Sequence, residues 1–177
     1  MYKNGVMDGV PIKIKDIKNL NFNITWRLLI KGLLERRITV DDIIEYAVEQ
    51  LEKGNDKIEI CELAWNNGNM DETLKCLYEL ADEEESEGEL EERKLRAVIL
   101  NNQLKKKKSN YVDGLLELTD LWIELGCPAD SPHIIQGQDN EISPSEYYTE
   151  SNYNYLFEKN KKWLKKEIDY ILNIQTE

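Results

Sequence analysis

Residues 39–54, TVDDIIEYAVEQLEKG, repeat their apolar side chains every three or four positions. Val40, Ile43, Ile44, Ala47, Val48 and Leu51 therefore share one face of a helix. Thr39 and Asp42 stand in the spacing of a capping box, and Gly54 supplies a residue that can end the helix in a left-handed turn.

The same period extends outward in both directions. Upstream, Trp26, Leu29, Ile30, Leu33 and Leu34 form a stripe behind Thr25, a residue able to cap a helix start, and this helix should stop near Arg37. Before it, Val10, Ile12 and Ile14 alternate with Pro11, Lys13 and Lys15, so residues 1–22 are read as an extended N-terminal arm. Downstream, Asp56 is placed to cap a short helix carrying Ile60, Cys61, Ala64 and Trp65, closed by Gly68. Asp71 then opens another with Leu74, Leu77, Tyr78 and Ala81. Leu95, Ala97, Val98, Ile99 and Leu104 define a fifth helix, with Lys105 to Lys108 at its carboxyl end, where cations suit the dipole. Val112, Leu115, Leu116, Thr119, Trp122 and Ile123 form the inner face of a sixth, stopped by Gly126 and Pro128. Residues 127–150 hold three prolines and lack a sustained period, which predicts a long ordered loop with room for one helical turn. Tyr153, Leu156, Phe157, Trp163, Leu164, Ile168, Ile171 and Leu172 mark a long final helix.

Short connections between helices that begin 14 to 20 residues apart force neighbours to run antiparallel. The expected fold is all-α: stacked antiparallel helical hairpins, an irregular or repeat-like bundle with a long C-terminal helix, forming one domain over residues 23–177. Residues 63–80, LAWNNGNMDETLKCLYEL, look like half of a tetratricopeptide repeat, although no 34-residue self-similarity extends the unit.

Composition narrows the function. Thirty-five acidic residues face 23 basic ones, a net charge of −12. Such a surface repels nucleic acid and lipid headgroups and attracts cationic proteins. No apolar run approaches the roughly 20 residues of a membrane span, and Met1–Val10 lacks the pattern of a signal peptide, so a cytoplasmic protein is expected. Cys61, Cys76 and Cys127 are odd in number and far apart, which fits reduced thiols.

Catalytic constellations are not evident. Nucleophilic catalysis by Ser or Cys calls for a nearby base, and the only histidine, His133, lies in a loop without a neighbouring cysteine nucleophile. Zinc-ligand spacing and a phosphate-binding glycine loop are both missing. No catalytic residue, metal ligand or cofactor is therefore assigned. The feature that invites a partner is the run Asp82, Glu83, Glu84, Glu85, Glu87, Glu89, Glu91 and Glu92, eight carboxylates in eleven residues. So much like charge should project into solvent, with Gly88 breaking the helix, and can accept Lys or Arg from a basic surface.

Two stretches resemble a bacterial family of uncharacterised proteins, domain of unknown function 2247. One begins Ile24-Thr-Trp-Arg-Leu-Leu-Ile-Lys-Gly-Leu-Leu and continues through Val40-Asp-Asp-Ile-Ile-Glu-Tyr-Ala to Glu62-Leu-Ala. The other is Leu118-Thr-Asp-Leu-Trp-Ile-Glu-Leu-Gly-Cys-Pro-Ala-Asp. The match is a pattern of helix faces, and it carries over no functional residue. Proteins similar to this family occur among the immunity proteins of polymorphic and contact-dependent toxin systems, small acidic domains that block a co-encoded toxin. The resemblance implies the same immunity role here. Together with the acidic charge and the lack of a catalytic constellation it sets the expectation: a non-enzymatic immunity protein that binds a cognate, basic protein toxin, a nuclease being the fitting class. The alternative expectation is a tetratricopeptide-like scaffold or adaptor that holds a peptide.

Overall fold

The computed structural model describes residues 10–84 and 88–175 and carries no strand among them. Nine helices follow one another there: α1 (Ile14–Lys18), α2 (Trp26–Leu34), α3 (Val40–Glu52), α4 (Ile58–Ala64), α5 (Met70–Ala81), α6 (Gly88–Leu104), α7 (Tyr111–Glu124), α8 (Pro144–Tyr147) and α9 (Glu150–Ile174). The all-α class and the long C-terminal helix are as the apolar spacing requires.

Two compact units make up the chain, Met1–Ile99 with Ile171–Glu177 and Leu100–Tyr170. The division falls inside α6 and α9 and does not coincide with the boundary expected at residue 22.

In the first unit α3 packs on α4, α4 on α5 and α5 on α2. The capping box of α3 is complete. The Thr39 hydroxyl accepts the Asp42 amide at 3.2 Å, while Asp42 Oδ2 accepts the Thr39 amide at 3.0 Å. Lys13 adds an ion pair to the buried Asp42 at 3.0 Å. Burial alone would raise the Asp42 pKa, but hydrogen bonds from Thr39 and Lys13 outweigh it and hold the carboxyl below its usual range. Gly54 ends this helix at φ 86°, a conformation that an L side chain rarely adopts.

Several expectations are corrected here. The stretch read as an arm carries α1, and Ile12, Ile14, Ile17 and Phe22 are buried, with the Ile12 amide donating to the Arg37 carbonyl at 2.9 Å. Its alternation is that of a short extended lead into a helical turn, anchored by core side chains. Asp56 caps nothing: Lys57 precedes α4 without a side-chain cap. Asn69, not Asp71, opens α5, its Oδ1 accepting the Asp71 and Glu72 amides at 3.0 and 3.3 Å. Gly88 is itself helical, within α6 (Gly88–Leu104).

The second unit is organised around Leu115, Leu118, Tyr147, Tyr153, Leu156 and Phe157, all buried, with Leu104, Ile134, Ile142 and Tyr148 packed against them. α7 and α9 approach closely because Gly114 has no side chain. A Cβ built there would lie 2.5 Å from the Tyr153 ring. Trp122 donates its indole N–H to Asn160 at 2.6 Å, satisfying two polar groups in an apolar interior. The expected helical turn in the loop is α8, opened by Ser143 and Pro144.

Candidate partner-binding surface

The acidic run divides into two populations. Glu84 turns inward and accepts the Trp26 amide at 2.7 Å and the Arg27 amide at 3.0 Å. Those amides open α2 and have no partner within the helix, so a carboxylate there satisfies them and meets the positive end of the helix dipole. Glu91 is 1% exposed and pairs at 3.1 Å with Lys94, which is buried too and also donates to the Asn23 carbonyl at 3.1 Å. Burial pushes the Glu91 carboxyl up, against the pull of Lys94.

Solvent projection is thus corrected for Glu84 and Glu91. The remaining described members, Asp82, Glu83, Glu89 and Glu92, are exposed. Glu83 forms an ion pair with Lys57, and Glu92 comes within 3.7 Å of Lys31. Glu85 and Glu87 lie outside the described residues. The carboxylates that face water therefore flank the α5–α6 connection, held on helix ends.

A second feature of the first unit escaped the sequence reading. The spacing places Trp65 and Tyr78 among the apolar residues of their helices, yet Trp65 is 82% exposed and Tyr78 50%. Ile58 and Met70 join them at 71% and 42%. The inner positions of this hairpin are taken instead by Ile60, Leu63, Cys76, Leu77 and Leu80. The apolar spacing groups Trp65 with Cys61 and Ala64, but with Ile60 and Leu63 filling the inner face of α4, Trp65, two residues past Leu63, turns outward. Leu116 and Ile123 of α7 also depart from their expected inner face, being 43% and 55% exposed.

His133 is buried in the loop before α8 in the second unit. Its Nε2 lies 3.0 Å from the Thr119 hydroxyl and 3.3 Å from that of Tyr147, which in turn donates to the Ile134 carbonyl at 2.7 Å. Burial, reinforced by the Lys159 charge, lowers the His133 pKa to about 4, so the ring is neutral at pH 7. Cys127 Sγ contacts the Trp122 carbonyl at 3.3 Å rather than the imidazole. The geometry is that of a packed loop histidine. All three cysteines are free thiols, and burial with a hydrogen bond to Glu62 pushes Cys76 up to about 11. Among the described residues no group of three or more His, Cys, Asp or Glu stands close enough to hold a metal ion.

The bacterial family described as "uncharacterized protein conserved in bacteria (DUF2247)" matches residues 14–168. The chain belongs to this family. The DUF2247 match begins at the first residue of α1 and runs well into α9, so it takes in the whole acidic run and the α4–α5 hairpin. No curated protein and no solved structure matches the chain. Among the described residues of this DUF2247 protein, no helix is long and apolar enough to cross a membrane.

Proposed function

We propose that this DUF2247 protein is an immunity protein that binds and neutralises a cognate bacterial toxin of basic character, a nuclease being the fitting class. The observation that carries this reading is the uneven distribution of charge. Of 35 acidic and 23 basic residues, Leu100–Tyr170 holds 12 and nine, leaving 23 and 14, a net −9, to the other unit. On that unit Asp82, Glu83, Glu89 and Glu92 are exposed at the ends of packed helices. A preorganised array of carboxylates can take the place of a phosphate backbone, pairing with the Lys and Arg side chains a nuclease uses to hold its substrate. It also speeds encounter with a cationic protein. The protein would act in the cytoplasm, without cofactor and without chemistry of its own.

Co-expression with the toxin encoded beside its gene tests the reading. Growth is expected to be rescued, and the purified pair should separate as salt rises, since exposed charges are screened beyond about 8 Å at physiological ionic strength. Failure to rescue growth against that toxin overturns it.

The repeat-like segment favours a second reading, a scaffold that grips a peptide. Residues 63–80 lie within the α4–α5 hairpin, as a tetratricopeptide half-unit would. Binding of an extended peptide, with no neutralisation of a folded toxin, would select it.

A further inference from the structure

We propose that the outer faces of α4 and α5 form a docking surface for a cationic protein, with Trp65 as its apolar anchor; the identity of that partner as a toxin rests on the function proposed above. Single exposed hydrophobic residues are ordinary on any protein surface. Here four large ones stand on one short hairpin, and two of them, Ile58 and Trp65, are more than 70% exposed. They lie seven residues apart and so fall on nearly one line along α4. Met70 and Tyr78 lie on α5 with the half-buried Leu74 between them at intervals of four. A tryptophan left in water forgoes most of the gain from burying a large aromatic. Interfaces recover that gain, and tryptophan is among the residues most enriched at their energetic centres.

Charge selects the occupant. Residues 58–83 contain seven carboxylates and one lysine, and Asp71, Glu72 and Glu79 are exposed on α5 beside the apolar positions. That field repels a lipid surface, a nucleic acid and a second copy of this chain, which carries the same net −12. It favours a protein surface bearing Arg and Lys, and a guanidinium stacked on the Trp65 face would gain both from the ring and from the surrounding carboxylates.

The test follows the indole N–H signals of the full-length, 15N-labelled protein, with Trp65 assigned from W65F. Three peptides are titrated: one alternating Arg and Leu, one alternating Arg and Gly, and one alternating Glu and Leu. The Arg–Leu peptide is expected to shift the Trp65 signal saturably and to bind about 10-fold or more tightly than the other two. Trp65→Ala should weaken it by about 10-fold or more while circular dichroism stays unchanged, because the side chain is 82% exposed. Equal binding by W65A, an unmoved Trp65 signal, or equal binding of the Glu–Leu peptide would overturn the proposal. The neighbouring toxin separates the two ideas. Rescue that W65A leaves intact keeps the immunity reading and removes the hairpin, whereas peptide docking at Trp65 without rescue does the reverse.

Discussion

Glu84 and Trp26, 58 positions apart in sequence, are joined by a 2.7 Å hydrogen bond from the Trp26 amide to the Glu84 carboxylate. Together with the Thr25 hydroxyl, which accepts the Leu28 amide at 3.1 Å, this carboxylate satisfies three of the four free amides that open α2. A residue that reads as part of a solvated charge run is thus the long-range cap of another helix.

Glu84→Ala should therefore destabilise the protein by about 1–2 kcal/mol, the usual range for a lost helix cap. Glu84→Gln keeps one acceptor oxygen and should lose less. Urea unfolding measures both, and an E84A variant as stable as the parent would refute the assignment. By contrast, Glu89→Gln, on an exposed side chain, should lie within about 0.5 kcal/mol of the parent.

The Glu91–Lys94 pair is buried on both sides, with each side chain about 2% exposed. Removing one partner leaves an uncompensated charge in the interior, so Glu91→Leu or Lys94→Met alone should cost about 3–5 kcal/mol. Glu91→Leu with Lys94→Met should recover most of that loss, since a well-packed apolar pair can match a buried ion pair. A double-mutant cycle in urea that gave purely additive losses would contradict the coupling.

Gly114→Ala should destabilise the second unit by about 1–3 kcal/mol, because the new methyl would meet the Tyr153 ring at 2.5 Å. The ring has little freedom to retreat, as its hydroxyl accepts the Lys108 amide at 2.9 Å. Pairing Gly114→Ala with Tyr153→Leu should restore part of the stability. Thermal unfolding followed by near-ultraviolet dichroism reads the change.

Acid should weaken the fold through His133. Its folded pKa, about 4, lies below the ordinary value of 6.5. The unfolded chain therefore takes up the proton first, and the contribution present above pH 6.5 is lost as pH falls toward 4. The full shift corresponds to roughly 3 kcal/mol. His133→Gln cannot titrate, so the difference in stability between parent and variant should change across that window and stay flat above pH 7. Glu91 acts in the opposite sense, its raised pKa favouring the fold at lower pH, but it is common to both proteins and cancels in the comparison. A difference that does not vary between pH 4 and 7 would refute the buried, neutral imidazole.

Much of the helical order was legible residue by residue. Thr25, Thr39 and Asn110 cap helices where the sequence placed helix starts, and Gly54 and Gly126 turn left-handed beyond their ends. These signals act over three or four residues, which is why they can be read locally. The candidate site was legible only in its charge. Glu91 gives no local sign that it will meet Lys94 in the interior, and the exposure of Trp65 shows only once Ile60 and Leu63 are known to fill the inner face of α4.

The sequence by itself determined that this chain folds into capped, amphipathic helices and carries an excess of carboxylates, because propensity, capping and composition depend only on neighbours along the chain. Tertiary structure alone decided which carboxylates stay exposed. Glu84 and Glu91 are consumed by the Trp26 amide and by Lys94, while Asp82, Glu83, Glu89 and Glu92 are left in water with Trp65. The reason is that an unsatisfied amide or a buried ammonium can be met by any carboxylate that packing brings within 3 Å, and packing joins residues that sequence separation keeps apart.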